Sequence, residues 1–156
     1  MKGPLYAGTM SKVYSEALNF YQEHGHFLSD DLLHWEEELG KVSHRDYTEA
    51  SLSGPAGADS IFNERETSLE MEWQMIGSVI DANPRAGIVM EVKNAFNQGD
   101  ELELIPFRGP TVKITAHEIM DLSMRPVIRT RPSTIVRLPY VEGIKSYFLI
   151  RQKVQR

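Results

Sequence analysis

The stretch Gly87–Thr115, GIVMEVKNAFNQGDELELIPFRGPTVKIT, decides the fold. Ile88, Met90 and Val92 alternate with Val89, Glu91 and Lys93. Leu102 and Leu104 alternate with Glu101 and Glu103, and Val112 and Ile114 with Thr111, Lys113 and Thr115. A period of two marks strands with one buried face. The connections carry turn chemistry: Asn83-Pro84-Arg85-Ala86-Gly87 before the stretch, Asn97-Gln98-Gly99-Asp100 and Gly109-Pro110 inside it. Further strands are expected near Val127–Thr130, Thr134–Leu138 and Ser146–Val154. About six short strands at this spacing predict a small antiparallel β-barrel. There is no βαβ rhythm, no G-x-G-x-x-G and no P-loop, which argues against a nucleotide-binding α/β fold.

Toward the N-terminus the period changes to that of helices. Met10, Val13, Tyr14, Ala17, Leu18 and Tyr21 fall on one face, with Thr9 or Ser11 the expected cap and Gly25 the expected end. A second helix is expected after Ser29-Asp30-Asp31, with Leu32, Trp35 and Leu39 on one face and Gly40 as its stop. Neither is long enough to be stable alone, so both should dock on something. Residues 41–70 lose all periodicity, and LSGPAGADS has the composition of a linker. A structureless stretch of that length suggests a domain boundary, or an interface whose partner is elsewhere. The fold class is thus mainly β, two α-helices and a long linker preceding a small antiparallel barrel.

The 156 residues suffice for one compact domain with a real core, or a small domain with a helical appendage. No cysteine is present, which excludes a disulfide scaffold, a cysteine zinc site, an iron–sulfur cluster and a thiol nucleophile. The longest apolar run, Tyr147–Ile150, is too short for a membrane helix. MKGPLYAGTM lacks the apolar core of a secretory signal, and a cytoplasmic location is the expectation.

Candidate catalytic groups are sparse. His117-Glu118-Ile119-Met120-Asp121 resembles H-E-x-x-H with aspartate in the last place. It would need a helix to bring His117 and Asp121 to one metal, and it directly follows a β pattern. His24 and His26 suit a helix C-terminus better than a zinc site. No G-x-S-x-G elbow is present, and Ser51, Ser53 and Ser60 lie in the linker. Glu36, Glu37 and Glu38 are consecutive and read as a solvated face rather than a paired acid and base. No metal, cofactor or catalytic residue is assigned.

Charge is the stronger signal. Residues 1–76 carry 14 Asp/Glu and 5 Lys/Arg, whereas from Leu122 onward 8 Lys/Arg face the single Glu142. Such asymmetry marks either an anionic partner for the basic end or two halves that neutralise each other by packing. Arg125, Arg129, Arg131 and Arg137 cluster around Pro126 and Pro132. In the last strand Phe148, Ile150 and Val154 are expected inside, with Lys145, Tyr147, Arg151 and Lys153 on the opposite face. Cations for phosphates and a ring for stacking are what a nucleic-acid surface needs. These eight residues form the candidate surface for nucleic acid or another substrate.

Two segments carry a family resemblance: EELGKVSHRDYTEAS (Glu37–Ser51), and VKNAFNQGDELELI (Val92–Ile105) with the closing LIRQKV (Leu149–Val154). With the opening MKGPLYAGTMSKVYSEALNFY, they resemble the C-terminal part of peptidase family U32 proteins. Val92, Asn94, Phe96, Gly99, Asp100 and Glu103 match that family's strand, Gly-Asp turn and second strand. The resemblance implies that residues 1–42 end a TIM-type catalytic barrel that is otherwise absent, that 43–70 link, and that 71–156 form the C-terminal β-barrel domain. Family members are labelled collagenase-like peptidases, and others act in tRNA uridine hydroxylation. The family's glycine- and cysteine-rich signature has no counterpart here, so the resemblance implies a non-catalytic accessory domain. It would present protein or tRNA to the absent N-terminal catalytic domain of the same protein. The alternatives are a self-sufficient, metal-assisted peptidase using His117, and a protein-interaction module docking, or self-associating, through the helices.

Overall fold

The structure, a computed structural model, describes residues 3–42, 54–55 and 72–154. Apart from Gly54 and Pro55, the linker expected over 43–70, with the Ser43-His44-Arg45 segment, lies outside them.

Helix α1 spans Pro4–His24 and α2 spans Ser29–Gly40. Neither starts at its expected cap. Pro4 opens α1 a turn before Thr9, because its preset φ and missing N–H make a side-chain cap unnecessary. Thr9 is instead buried inside the helix. Leu28 occupies the N-cap position of α2, so Asp30 and Asp31 act through the helix dipole rather than as caps. Gly25 ends α1 as expected: its φ of 74° is left-handed, and its N–H donates to the Tyr21 carbonyl at 2.8 Å.

Six strands follow: β1 (Trp73–Asn83), β2 (Gly87–Val92), β3 (Glu101–Ile105), β4 (Val112–Thr115), β5 (Ile135–Leu138) and β6 (Leu149–Lys153). They form one antiparallel sheet in the order β4-β3-β6-β1-β2-β5. The sheet curls around Ile76, Met90, Phe96, Leu102, Leu104, Ile119 and Ile150 into a half-barrel. After β4 the chain crosses toward the far edge. There Met120 and Arg137 exchange two backbone hydrogen bonds of 2.8 and 2.9 Å, tying that crossing segment to β5. The link is one bridge rather than a ladder, so the fold is a half-barrel with mainly β content and N-terminal helices.

Two expected strands differ from what forms. Val127–Thr130 is not a strand; Arg129 makes a lone bridge to Asn97, because Thr130 turns inward to bond Phe96. Residues 146–148 are a turn rather than the start of β6, with Tyr147 at a φ of 68°.

Strand β1 shows no clean alternation because its register shifts against both neighbours: between Met75 and Gly77 facing β6, and between Val79 and Asp81 facing β2. A bulge places two residues opposite one and resets the face. Gly77 sits at the shift facing β6, where a Cβ would overlap the Glu91 carbonyl oxygen of β2. Gly77→Ala is therefore expected to cost about 1–3 kcal/mol by overpacking. Urea unfolding followed by tryptophan fluorescence measures it, and an unchanged midpoint would show that the strand pair yields freely.

The helices lie on the outer face of β6. Gly8 of α1 meets the Leu149 side chain so closely that a Cβ there would collide with it. Trp35 and Glu38 of α2, and Val42 just after it, turn inward.

Candidate functional site

The eight candidate residues do not share one surface. Arg151 is the clearest correction: it was expected on a solvated strand face, and it is fully buried. Alternation along β6 does place Arg151 opposite Ile150, but the helices cover that face. In the β3–β6 register Glu103 lies directly across from Arg151. The guanidinium donates from Nε to Glu103 at 2.8 Å and from Nη2 to Glu38 at 2.8 Å. Lys41 closes the group by donating to Glu38 at 2.6 Å. The Trp73 ring lies 5.0 Å from the Arg151 guanidinium carbon and 5.2 Å from the Lys41 ammonium, within cation–π range. Burial pushes the Glu38 carboxyl up, but its hydrogen bonds and charge attraction to Lys41 and Arg151 outweigh this and hold it below the ordinary glutamate range.

Glu38 also departs from the solvated face expected of Glu36–Glu38. Consecutive helix residues point about 100° apart, so three in a row span more than half the helix and need not all face solvent. The spacing Trp35, Glu38, Val42 was the available signal, since it places Glu38 on the buried stripe. An open cleft of about 400 Å³ beside this network is lined by Lys41, Trp73, Glu101, Glu103, Lys113 and Lys153, among others. Lys153 is exposed there and pairs with Glu72 at 3.4 Å.

Three of the remaining residues, Arg125, Arg129 and Arg131, belong to the excursion between β4 and β5, and Arg137 lies in β5 itself. Asp121 organises its first turn, accepting from the backbone N–H of Ser123 at 2.8 Å and of Arg125 at 3.0 Å, and from Arg125 Nε at 3.1 Å. These bonds, the Arg125 N–H foremost, hold its carboxyl below the usual aspartate range. Arg137 Nη1 lies 3.4 Å from the Met124 sulfur. Further along, the Phe96 N–H donates to the Thr130 hydroxyl at 2.9 Å, and that hydroxyl donates back to the Phe96 carbonyl at 3.1 Å. With Thr130 pinned inward, Arg129 and Arg131 on either side of it are exposed. Leu122, Met124 and Ile128 are exposed in the same excursion. Lys145 and Tyr147 are exposed in a separate turn before β6, where the Tyr147 N–H donates to the Val79 carbonyl.

Residues 117–121 are not helical, so the backbone needed to aim His117 and Asp121 at one metal does not form. Among the described residues no cluster of three His, Asp or Glu side chains has metal-ligating geometry. His24 bonds the Phe20 carbonyl at 3.0 Å and His26 the His24 carbonyl at 2.9 Å, so both rings serve the end of α1.

A curled antiparallel half-barrel with two N-terminal helices, and an arginine-bearing excursion between its two edge strands, defines a small, mainly β domain. Residues 71–151 match the peptidase family U32 C-terminal domain, about half of the sequence, and the chain belongs to that family. Two crystal structures are similar, both of the C-terminal domain of a Geobacillus thermoleovorans protein described as a U32 peptidase. The first is 22% identical, with a TM-score of 0.48 over 52% of this chain and 93% of that one. The other, a selenomethionine variant, is 24% identical, with a TM-score of 0.45 over 51% of this chain and 99% of that one. No curated protein matches. Among the described residues, no helix is long and apolar enough to cross a membrane.

Proposed function

We propose that this chain is a non-catalytic accessory module, with residues 1–42 the end of a catalytic barrel, 43–70 a linker and 71–156 the accessory domain proper. Its task is to present substrate to the catalytic domain of its parent protein. The observation that carries this reading is the excursion between β4 and β5. From Leu122 to Thr134 it has three arginines and no acidic residue, Arg137 follows in β5, and Thr130 holds Arg129 and Arg131 outward. A guanidinium fork pairs with phosphate in bidentate fashion, so the favoured substrate is RNA, with tRNA the class the family resemblance suggests. Neither shifted carboxylate is tuned for general-acid work. Glu38 and Asp121 both move down, away from the range a general acid needs near neutral pH.

Anisotropy of labelled bulk tRNA, titrated with this chain at two salt concentrations, tests the reading. Binding should weaken steeply with salt. Arg129→Ala with Arg131→Ala should weaken it about tenfold or more and lower the salt slope by about 1 per arginine removed. Both side chains are exposed, so unfolding is not expected to confuse the result. No binding at low salt would overturn the RNA reading and leave an unfolded or collagen-like peptide as the presented substrate.

A further inference from the structure

We propose that Ile128 is a wedge that packs against an unpaired base, so that the excursion between β4 and β5 selects RNA whose helix is interrupted over continuous duplex. The inference rests on the RNA reading above and adds to it which form of RNA is bound. Arginines account for phosphate contacts, but they leave three apolar side chains of the same excursion unexplained. Leu122 is 57% exposed, Met124 59% and Ile128 78%, the last being the most exposed large apolar side chain among the described residues. Single exposed apolar residues are ordinary, whereas a group of them set among charges marks a contact surface. Ile128 is also held in place. The Val127 N–H donates to the Ile119 carbonyl at 2.8 Å, the Gln98 N–H to the Ile128 carbonyl at 2.7 Å and the Thr130 N–H to the Phe96 carbonyl at 2.9 Å. Val127 packs against the barrel core and Thr130 is buried, while Ile128 and Arg129 between them are exposed. A backbone fixed in this way loses little freedom on binding.

The setting of the wedge identifies its ligand. Residues 122–134 hold three arginines and no acidic residue, with Arg129 directly beside Ile128 and Arg131 shortly after it. Such a surface takes a polyanion, and what Ile128 adds is a demand for an apolar face on that polyanion. A continuous A-form duplex offers none. Its major groove is too deep and narrow for side chains, and its shallow minor groove displays 2′-hydroxyls and base edges. Ile128 set against it would gain no apolar contact. An unpaired base does offer its face, and aliphatic side chains insert where bases unstack. The cost of unstacking is least where the base is already unpaired. The helices do not compete for this surface. They lie over β6 in the middle of the sheet, whereas the excursion joins the two edge strands, β4 and β5. Because the sheet curls, the face assigned above to the catalytic barrel is across the domain from Ile128.

The test uses the full chain and two labelled RNAs: a blunt-ended continuous duplex, and the same duplex with a short run of unpaired nucleotides bulged from one strand. Anisotropy at two salt concentrations should show the bulged RNA binding about threefold or more tighter. Ile128→Ser should remove most of that preference and leave the salt slope unchanged, because it takes away apolar surface and no charge. The position is exposed, and circular dichroism checks that the variant stays folded. Equal or tighter binding of the continuous duplex by the unmodified chain would overturn the wedge and leave the RNA reading standing. A preference for the bulge that persists in Ile128→Ser would do the same. Binding of neither RNA at low salt would overturn both readings together.

Discussion

Replacing Arg151 with alanine is expected to destabilise the protein by about 3–5 kcal/mol, because it strands two buried carboxylates. Glu38 and Glu103 have side-chain exposures of 5% and 9%, and Arg151 bonds both. Lys41 remains 2.6 Å from Glu38 but 3.9 Å from Glu103, so it offsets only part of the loss. Urea unfolding at neutral pH measures the effect, and a loss under about 1 kcal/mol would show that the network is energetically idle. The pH dependence has a definite sign. The folded Glu38 carboxyl lies below the ordinary 4.5, so its contribution is complete above that pH and is lost as pH falls through the lower folded value. In Arg151→Ala the part of that lowering due to Arg151 is lost while Lys41 stays, so the deficit against the parent should be greatest at neutral pH and shrink as pH drops through the carboxylate range. The damage should also be localised. Arg151 joins β6 to α2, so amide exchange in Ser29–Gly40 should accelerate more than in β1 or β2. Replacing the whole set, Arg151→Met with Glu38→Leu and Glu103→Leu, should restore most of the stability, since apolar packing commonly substitutes for a buried ion cluster.

Phe96→Ala is the second large effect, at about 3–5 kcal/mol for truncating a buried phenylalanine. Phe96 is 1% exposed within the barrel core. For a chain of this size the midpoint of thermal unfolding should fall on the order of 10 °C. The consequence reaches the arginine excursion, because the Phe96 backbone holds Thr130 through both its N–H and its carbonyl. A backbone displaced by the cavity would release Arg129 and Arg131 from their outward setting. Loss of tRNA affinity in Phe96→Ala at a temperature where it remains folded, with both arginines intact, would tie binding to that setting. Unchanged affinity would show that charge alone suffices.

The arginine surface was only partly legible in the sequence. Arg125, Arg129, Arg131 and Arg137 stand close in sequence; local turns keep the first three in one excursion, and Arg137 follows in β5. Period-two alternation correctly set Arg151 against Ile150 on opposite faces of β6. It carried no information about what lies over the outer face, because alternation distinguishes two sides and not which of them is wet. Lys145 and Tyr147 were extrapolated from the same alternation, and the turn at Tyr147 interrupts it. Strand β1 escaped a clear reading because its bulges disrupt the period on which such a reading depends.

Local chemistry alone determined the strands of Gly87–Thr115, their turns, the two helices and the arginine cluster. Each of these rests on interactions between residues a few positions apart, through side-chain period, glycine geometry or proline. The pairing of β6 between β3 and β1 and the burial of Arg151 against Glu38 and Glu103 came from contacts between distant residues. Arg151 and Glu38 are 113 positions apart. Whether such a charge ends in water or in an ion pair depends on what the folded chain lays over it, and no local pattern encodes that.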